Sequence, residues 1–326
     1  MRAATAFLTH PDCSRHDTGP SHPENAGRLA ALSAALEARE EELRGRVVST
    51  TGRHATAEEL GLAHPEDHIR LIREASERAA EVGASVALDA DTIISPGSWD
   101  AAQAAAGSVL AAVDLVLDGT ARNAFCAVRP PGHHATRDQA MGFCLFNNVA
   151  IGALYARRHG LPRAMIIDWD VHHGNGTEAI FYEDPDVFYV SMHQSPHYPG
   201  TGHASDRGRG DGFGTTLNVP VGPGLPPDRY VEELRSAIEA AASEFSPDII
   251  LISAGFDAAH GDPLAGLTLR PSDYHRLTRH VMSVADLSCE GRVVSVLEGG
   301  YSYEMLARCA AAHVRALAGL EPDAAD

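Results

Sequence analysis

The chain has 326 residues and a formal net charge of −18, with 26 basic residues against 44 acidic ones. Every basic residue is an arginine, which excludes enzymes that need a lysine amine, such as Schiff-base aldolases, P-loop NTPases and protein kinases. The acidic balance also argues against direct binding to nucleic acid or to an anionic membrane, because both require a basic surface.

Short apolar runs alternate with longer helical patterns, which predicts an α/β protein with a mostly parallel sheet covered by helices on both faces. The predicted strands are Thr5–Leu8, Ala124–Val128, Met165–Ile167, Val187–Val190, Ile249–Ser253 and Val293–Leu297. The predicted helices are Ala26–Arg39, Glu66–Val82, Ser98–Leu117, Asn148–Arg158, Asp228–Phe245, Ser272–Ala285 and Tyr303–Leu317. We expect one domain, residues 1–326, with a long Gly- and His-rich loop at Gln194–Gly214.

The cysteines and the hydropathy pattern favour a cytoplasmic location. Five widely spaced cysteines without a C-x-x-C motif are typical of a reducing compartment. The first ten residues show no secretory signal. The most apolar stretch, Ala101–Leu117, contains Gln103 and Asp114, and we expect it to fall short of a membrane span.

Polar, glycine-containing segments directly follow four of the predicted strands. They are Arg129–His134, Asp168–Gly176, Ala254–Asp262 and Glu298–Tyr301. Ligands of open parallel sheets bind beyond the carboxyl ends of the strands, so these four segments should converge on one site. This convergence predicts an enzyme.

A metal-binding pattern lies in the second of these segments. Asp168, Asp170 and His172 alternate along a strand end and should therefore share one face. Carboxylate and imidazole ligands suit Zn²⁺ or a similar divalent ion, and Asp257 could supply the third ligand that a catalytic zinc requires. Taken alone, the same acids could equally cap helices.

Two further patterns suggest proton transfer and oxyanion binding. His133 and His134 are adjacent histidines in a proline-stiffened turn, and a histidine can take a proton from water and return one to a leaving amine. Asp168 and Asn175 are available to fix their tautomers. Tyr301, after two glycines, could donate to an oxyanion, although a simple turn explains this motif as well.

These motifs, in this order along nearly the whole chain, resemble those of the zinc-dependent histone deacetylase family, most closely its class II members and their bacterial homologues. The matching segments are Arg-Pro-Pro-Gly-His-His (129–134), Gly-Phe-Cys-Leu-Phe-Asn-Asn (142–148), Asp-Trp-Asp-Val-His-His-Gly-Asn-Gly-Thr (168–177), Ser-Ala-Gly-Phe-Asp (253–257), Gly-Asp-Pro-Leu (261–264) and Glu-Gly-Gly-Tyr (298–301). The resemblance implies the arginase/deacetylase fold, in which helices flank an eight-stranded parallel sheet.

The resemblance also implies the ion sites. A catalytic Zn²⁺, with Fe²⁺ as the alternative, would be held by Asp170, His172 and Asp257. A structural K⁺ would lie near Asp168, Asp170, His172, Ser191 and Met192.

The catalytic roles follow from the same resemblance. His134 would be the general base and acid, paired with Asn175, and His133 would pair with Asp168. Tyr301 matches the family's transition-state tyrosine. No covalent intermediate is required, so Cys144 is interpreted as a small buried residue and not as a nucleophile.

The implied substrate tunnel has an aromatic wall that departs from the family pattern, because Tyr198 stands where the family usually has phenylalanine. The predicted substrate-binding residues are Gly142, Phe143, Tyr198, Leu264, Gly299 and Gly300. Leu264 occupies a position that is acidic in polyamine-selective relatives, which favours acyl-lysine in peptides or proteins over an acetylated polyamine.

Other functions stay open at this point. A silent member that binds acyl-amines without cleaving them should lack Tyr301, a histidine of the pair or a metal ligand, and all are present. An arginase-like ureohydrolase would need more metal ligands than these motifs offer. The sequence leaves homo-oligomerisation open.

Overall fold

The computed structural model describes residues 4–323, and its centre is an eight-stranded sheet. The strands are β1 (Ala4–Thr9), β2 (Val47–Thr51), β3 (Val86–Ala87), β4 (Ile93–Ile94), β5 (Ala121–Cys126), β6 (Ala164–Asp168), β7 (Val187–Gln194), β8 (Thr216–Val221), β9 (Ile249–Ala254) and β10 (Val293–Leu297). The helices are α1 (Gly27–Glu37), α2 (Glu40–Leu43), α3 (Ala57–Leu60), α4 (Glu66–Val82), α5 (Ser98–Leu117), α6 (Asn148–Arg158), α7 (Asn175–Phe181), α8 (Pro227–Glu244), α9 (Pro271–Ser288) and α10 (Tyr303–Leu317). Two short 3₁₀ helices lie at Pro11–Arg15 and Gly210–Gly212.

The main sheet has the strand order β2-β1-β5-β10-β9-β6-β7-β8, and all its neighbouring strands are parallel. Every residue of β6, β7, β9 and β10 is buried, as expected for strands that are covered on both faces. The α/β fold class and the eight-stranded parallel sheet are therefore confirmed. Strands β3 and β4 form a separate antiparallel pair.

Two rows of packed helices cover the sheet. Helices α1, α10, α9 and α8 contact one another in that order, whereas α4, α5, α6 and α7 form the second row. Strand β5 contacts α5 from one row and α10 from the other, so the rows lie on opposite faces. The core between them is built from the buried apolar strands and the inward faces of these helices.

The sequence pattern missed both edge strands of the sheet. In β2, four of the five residues are exposed, so the strand lacks the apolar run that marks the central strands. Strand β8 contains Pro220, which an edge strand tolerates because only one of its sides is hydrogen-bonded. The seven predicted helices are present, with ends that differ by at most a few residues.

Helix α5 differs from the expectation that its sequence falls short of a membrane span. By length and composition it is apolar enough to span a membrane, contrary to the expectation from Gln103 and Asp114. However, 67% of its apolar window is buried inside the protein, where it packs against β1, β5 and β10. Its composition is explained by this position in the core.

Candidate active site

The four strands that precede the polar motifs are consecutive in the sheet, in the order β5-β10-β9-β6. Because these strands are parallel, their carboxyl ends lie at one edge. The segments at 129–134, 298–301, 254–262 and 168–176 therefore meet there, as the sequence pattern predicts.

Asp170, His172 and Asp257 form the centre of the site, with one potential ligand atom from each residue within 4.8 Å of the others. The His172 Nδ1 atom lies 3.0 Å from Asp170 Oδ1 and 3.2 Å from Asp257 Oδ2. All three residues are buried. Burial and the nearby charge of Asp170 raise the pKa of Asp257 to about 7, because two carboxylates lie close together away from water.

This donor set fits a divalent cation. A cation would balance the two buried carboxylates, and the mixture of two oxygen donors with one imidazole is suited to Zn²⁺ or Fe²⁺. The surrounding backbone leaves room for these groups, because a Cβ atom at Gly255 would collide with Asp170 and one at Gly299 would collide with Asp257. The glycines of both motifs are therefore required for the close approach of the carboxylates.

His133 is held against a carboxylate. Its Nδ1 atom lies 3.0 Å from Asp168 Oδ2, which also accepts a hydrogen bond from the Tyr189 hydroxyl at 3.0 Å. Burial alone would lower the pKa of His133, but the carboxylates of Asp168 and Asp170 outweigh this effect and raise the pKa to about 10. The imidazole is therefore positively charged at neutral pH.

His134 has a neutral partner instead. Its Nδ1 atom lies 2.8 Å from the side-chain oxygen of Asn175, which can only accept, so Nδ1 carries the proton and Nε2 is free to act as a base. Burial and the neighbouring imidazoles of His133 and His172 hold the pKa of His134 well below its usual value. His134 is therefore neutral at pH 7.

Tyr301 is fixed by its backbone and by neighbouring rings. Its amide donates to Asp262 Oδ2 at 2.7 Å, and its ring packs edge-to-face against Phe143, with 5.9 Å between centroids. The Arg28 guanidinium lies over the Tyr301 ring, 5.0 Å from its centroid. Burial raises the pKa of the phenol well above its usual value, so the hydroxyl keeps its proton and can donate.

A buried ionic cluster connects the histidine turn to the tyrosine turn. Glu24 accepts hydrogen bonds from Arg28 Nη1 at 3.1 Å and from Arg129 Nη2 at 2.7 Å, and all three side chains are fully buried. Arg129 begins the histidine turn, and the Arg28 side chain donates to the carbonyls of Glu298 and Gly300. One carboxylate therefore positions both halves of the site.

Glu298 supports the histidine turn from the other side. Its carboxylate accepts hydrogen bonds from the amides of Gly132 and His133 at 2.6 and 3.2 Å, and from the hydroxyl of Ser253 at 3.1 Å. Burial raises its pKa to about 7. This carboxyl fixes the backbone on which His133 and His134 are mounted.

The motifs line a cavity of about 260 Å³. Its lining residues are Asp91, Pro131, His133, His134, Gly142, Phe143, His172, His197, Tyr198, Leu264, Gly299 and Tyr301. Tyr198 is 38% exposed and His172 is 8% exposed, so the cavity runs from an aromatic mouth to the carboxylate–imidazole cluster.

Gly300 is an exception among the predicted substrate-binding residues. It does not belong to this lining, and its carbonyl instead accepts a hydrogen bond from Arg28 Nε at 2.7 Å. Its φ of +120° explains the glycine at this position, because side chains rarely adopt that conformation.

Two other predictions concern Cys144 and the structural cation. Cys144 is buried, and burial raises the pKa of its thiol well above the usual range, which makes it a poor nucleophile. Ser191 is the register partner of Asp168 on the neighbouring strand, so the predicted K⁺ segments are adjacent. The K⁺ itself stays a prediction.

Sequence reasoning missed two residues of the cavity. Asp91 lies between the short strands β3 and β4, which have no clear period in the sequence. His197 stacks on His172 with 4.7 Å between ring centroids, and its Nε2 atom donates a hydrogen bond to the Leu264 carbonyl oxygen at 2.9 Å. In the sequence, His197 could be noticed only as the residue before Tyr198. It does not stand at the spacing from another histidine or acid that would indicate a metal ligand.

Comparison with known proteins agrees with this geometry. The histone deacetylase domain family matches residues 22–317. A probable deacetylase of Archaeoglobus fulgidus is 39% identical over 302 residues, which cover 92% of this chain and 82% of that protein. The human polyamine deacetylase HDAC10 is 38% identical over 325 residues, or 97% of this chain, although these cover only 48% of that larger protein.

A solved structure shows the same fold. The crystal structure of the HDA15 HD domain superposes with a TM-score of 0.92 at 35% sequence identity, covering 100% of this chain and 91% of that one. Both the match of the domain family over most of the chain and the agreement of the folds lead to one conclusion. The chain belongs to the histone deacetylase family and is a hydrolytic deacetylase.

Proposed function

We propose that the enzyme removes acetyl or other acyl groups from the ε-amine of lysine in peptides or proteins. The observation that supports this proposal is the form of the cavity. Phe143 and Tyr198 provide aromatic walls, the half-buried Leu264 adds apolar surface, and His172 lies at the inner end. Such a channel suits the aliphatic stem of a lysine side chain, whose acyl amide would then reach the buried cluster.

An acetylated polyamine is the second candidate substrate. Asp91 lines the cavity, and the chain carries a net charge of −18, so a cationic amine would be attracted to this region. One of the relatives is named as a polyamine deacetylase. Against this, Leu264 offers no carboxylate to a second ammonium group.

Asp170, His172 and Asp257 would hold the catalytic ion, for which we propose Zn²⁺, with Fe²⁺ as the alternative. Such an ion supplies Lewis-acid polarisation of the scissile carbonyl and lowers the pKa of a nearby water molecule. A structural K⁺ near Asp168, Asp170, His172, Ser191 and Met192 belongs to the same proposal.

The side chains of the cavity divide the remaining chemistry. His134, neutral and with Nε2 free, accepts the proton of the attacking water and later returns one to the departing amine. His133 stays protonated beside Asp168, and its charge disfavours a proton on His134 before the reaction begins. The Tyr301 hydroxyl keeps its proton and donates a hydrogen bond to the oxyanion that develops on the substrate.

The role of Tyr301 can be separated from ion binding by Tyr301→Phe. We expect kcat to fall by about 10²–10³, because one oxyanion donor is lost. The metal content of the protein should stay unchanged, since the phenol is not part of the ligand set. Asp257→Ala is the matched control, because it should remove the metal itself. An unchanged rate in Tyr301→Phe would contradict the assigned role.

The substrate class is tested by parallel kinetics on acetyl-lysine peptides and on N-acetylputrescine. We expect a higher kcat/KM for the peptides. Faster turnover of N-acetylputrescine would reverse the proposed order, and binding of a hydroxamate without cleavage of either substrate would favour a silent member of the family. Hydrolysis of an acyl series on one peptide would then define the acyl preference.

The cytoplasm is the proposed location, supported by five buried cysteines that are not joined in disulfides. The reaction requires no protein partner other than the substrate. A homo-oligomer is compatible with the proposal but is not needed for it. Neither nucleic acid nor membrane is proposed as a partner.

A further inference from the structure

We propose that His10, Asp12 and His54 form a second binding site for a divalent transition metal such as Zn²⁺. The site lies away from the catalytic cavity, at the carboxyl ends of the edge strand β2 and its neighbour β1. His10 directly follows β1, and His54 follows β2 by three residues. Asp12 lies in the 3₁₀ helix that begins after His10.

The three side chains already have distances close to those of a zinc ligand set. The His54 Nε2 atom lies 2.8 Å from Asp12 Oδ2, and the His10 Nδ1 atom lies 3.7 Å from the same oxygen. One potential ligand atom from each residue lies within 4.8 Å of the other two. Tetrahedral zinc with bonds of about 2.0–2.2 Å places neighbouring ligand atoms about 3.3–3.6 Å apart, so small rotations of the three side chains would suffice.

The charges around the cluster also suit a cation. Asp12 uses Oδ1 to accept from Arg15 at 3.2 Å, which leaves Oδ2 on the side of the histidines. Arg15 also donates to the carboxylate of Asp100, which is closer at 2.8 Å. The charge of Arg15 is therefore divided between two carboxylates and does not fully neutralise Asp12.

The competing explanation is a hydrogen-bonded cluster without a metal. The His10 Nδ1 atom accepts from the Asp12 amide at 3.2 Å and caps the 3₁₀ helix. A metal on Nδ1 would take the lone pair that this long hydrogen bond now uses. A capping histidine does not require a second imidazole beside it, however, and the ring of His54 lies only 4.9 Å from that of His10.

A metal here would fasten an edge of the fold. Strand β2 pairs only with β1 and has mostly exposed side chains, so packing stabilises it weakly. The ion would connect the end of β2 to the end of β1 and to the 3₁₀ helix. The 3₁₀ helix is itself connected to the active site, because the carbonyls of Cys13 and of the following His16 accept hydrogen bonds from Arg129 at 3.0 Å each.

The test measures bound zinc per chain by equilibrium dialysis at saturating Zn²⁺. We expect two equivalents in the wild type, one in His54→Ala and one in His10→Ala. His159→Ala is the matched control, because it removes an exposed histidine elsewhere and should keep both. Asp257→Ala should also retain one equivalent, at the site proposed here, whereas Asp257→Ala with His54→Ala should bind none.

Two further measurements separate a lost site from a misfolded protein. With one equivalent of zinc, His54→Ala should deacetylate as fast as the wild type, because it contributes nothing to the cavity. A second equivalent should raise the Tm of the wild type by a few degrees but leave that of His54→Ala unchanged. A wild type that binds one equivalent and keeps it in both histidine variants, or histidine variants that each keep two, would overturn the proposal, and neither result would contradict the deacetylase function.

Discussion

The two histidines of the active-site turn are adjacent in sequence and equally buried, yet their protonation states differ. Their ring centroids lie 4.0 Å apart. His133 faces the carboxylate of Asp168 and has a raised pKa, whereas His134 faces the amide of Asn175 and has a lowered one. The partner's charge, and not the degree of burial, therefore decides which imidazole carries the proton.

This difference also makes the two residues dependent on each other. The charge of His133 is one of the causes that lower the pKa of His134, second only to burial. A divalent ion held by Asp170 and Asp257 would act in the same direction, because it adds positive charge nearby. Changing either partner should consequently affect both histidines. The predictions below test this relation, beginning with the largest expected effect.

Removing the base itself should have the greatest consequence. We expect His134→Ala to lower kcat/KM by about 10²–10⁴, because it removes the general base, the imidazole that Asn175 holds with Nε2 unprotonated. The bound metal should be retained, which elemental analysis can check. His197→Ala is the control, since His197 also lines the cavity but has no role in proton transfer. A loss as small as that of the control would mean that His134 is not the base.

Removing the charge beside His133 should have an intermediate effect. In Asp168→Asn, the strongest opposition to the effect of burial is removed, so the pKa of His133 falls and the imidazole is less readily protonated. We expect kcat/KM to decrease by about 10–100-fold, as is common when a residue behind the reacting groups is changed. Tyr189→Phe provides the comparison, because it removes a hydrogen bond to Asp168 and leaves the charge in place. If Tyr189→Phe had the larger effect, the charge of Asp168 would not be the important property.

Making the two partners alike should have the smallest effect at the optimum but a clear effect on the pH profile. Asn175→Asp places a carboxylate next to His134 and should raise its pKa. Because the base works only when it is unprotonated, the acidic limb of kcat/KM should move to higher pH, while activity at alkaline pH is retained. Asn175→Ala removes the hydrogen bond without adding charge and should leave that limb where it is or lower it. An unshifted profile in Asn175→Asp would contradict the comparison.

Much of the site could be predicted because each motif directly follows an apolar strand of the central sheet. Parallel strands bring their carboxyl ends to one edge, so the convergence of His133, Asp170, Asp257 and Tyr301 could be predicted without knowing the strand order. The interactions that support these residues had no local signal. Glu24 precedes Arg129 by more than a hundred positions, and neither residue belongs to a strand or helix.

The outer parts of the fold were harder to predict for a related reason. Strands β2 and β8 lie at the two edges, where one side of each strand has no neighbour. Their sequences therefore contain polar residues, or a proline, that a central strand would exclude. Asp91 was missed because the strands on either side of it have only two residues each.

The hydrogen bonds of Arg28 join positions far apart in the chain. Its guanidinium reaches the carbonyl of Gly300, which is 272 residues further on. During synthesis on the ribosome, the first half of the sheet can begin to form long before this partner exists. The tyrosine turn, however, is made only after β10, the last strand of the sheet in chain order. The site should therefore be complete only after this turn has been synthesised, and a nascent chain that lacks residue 301 should have no deacetylase activity.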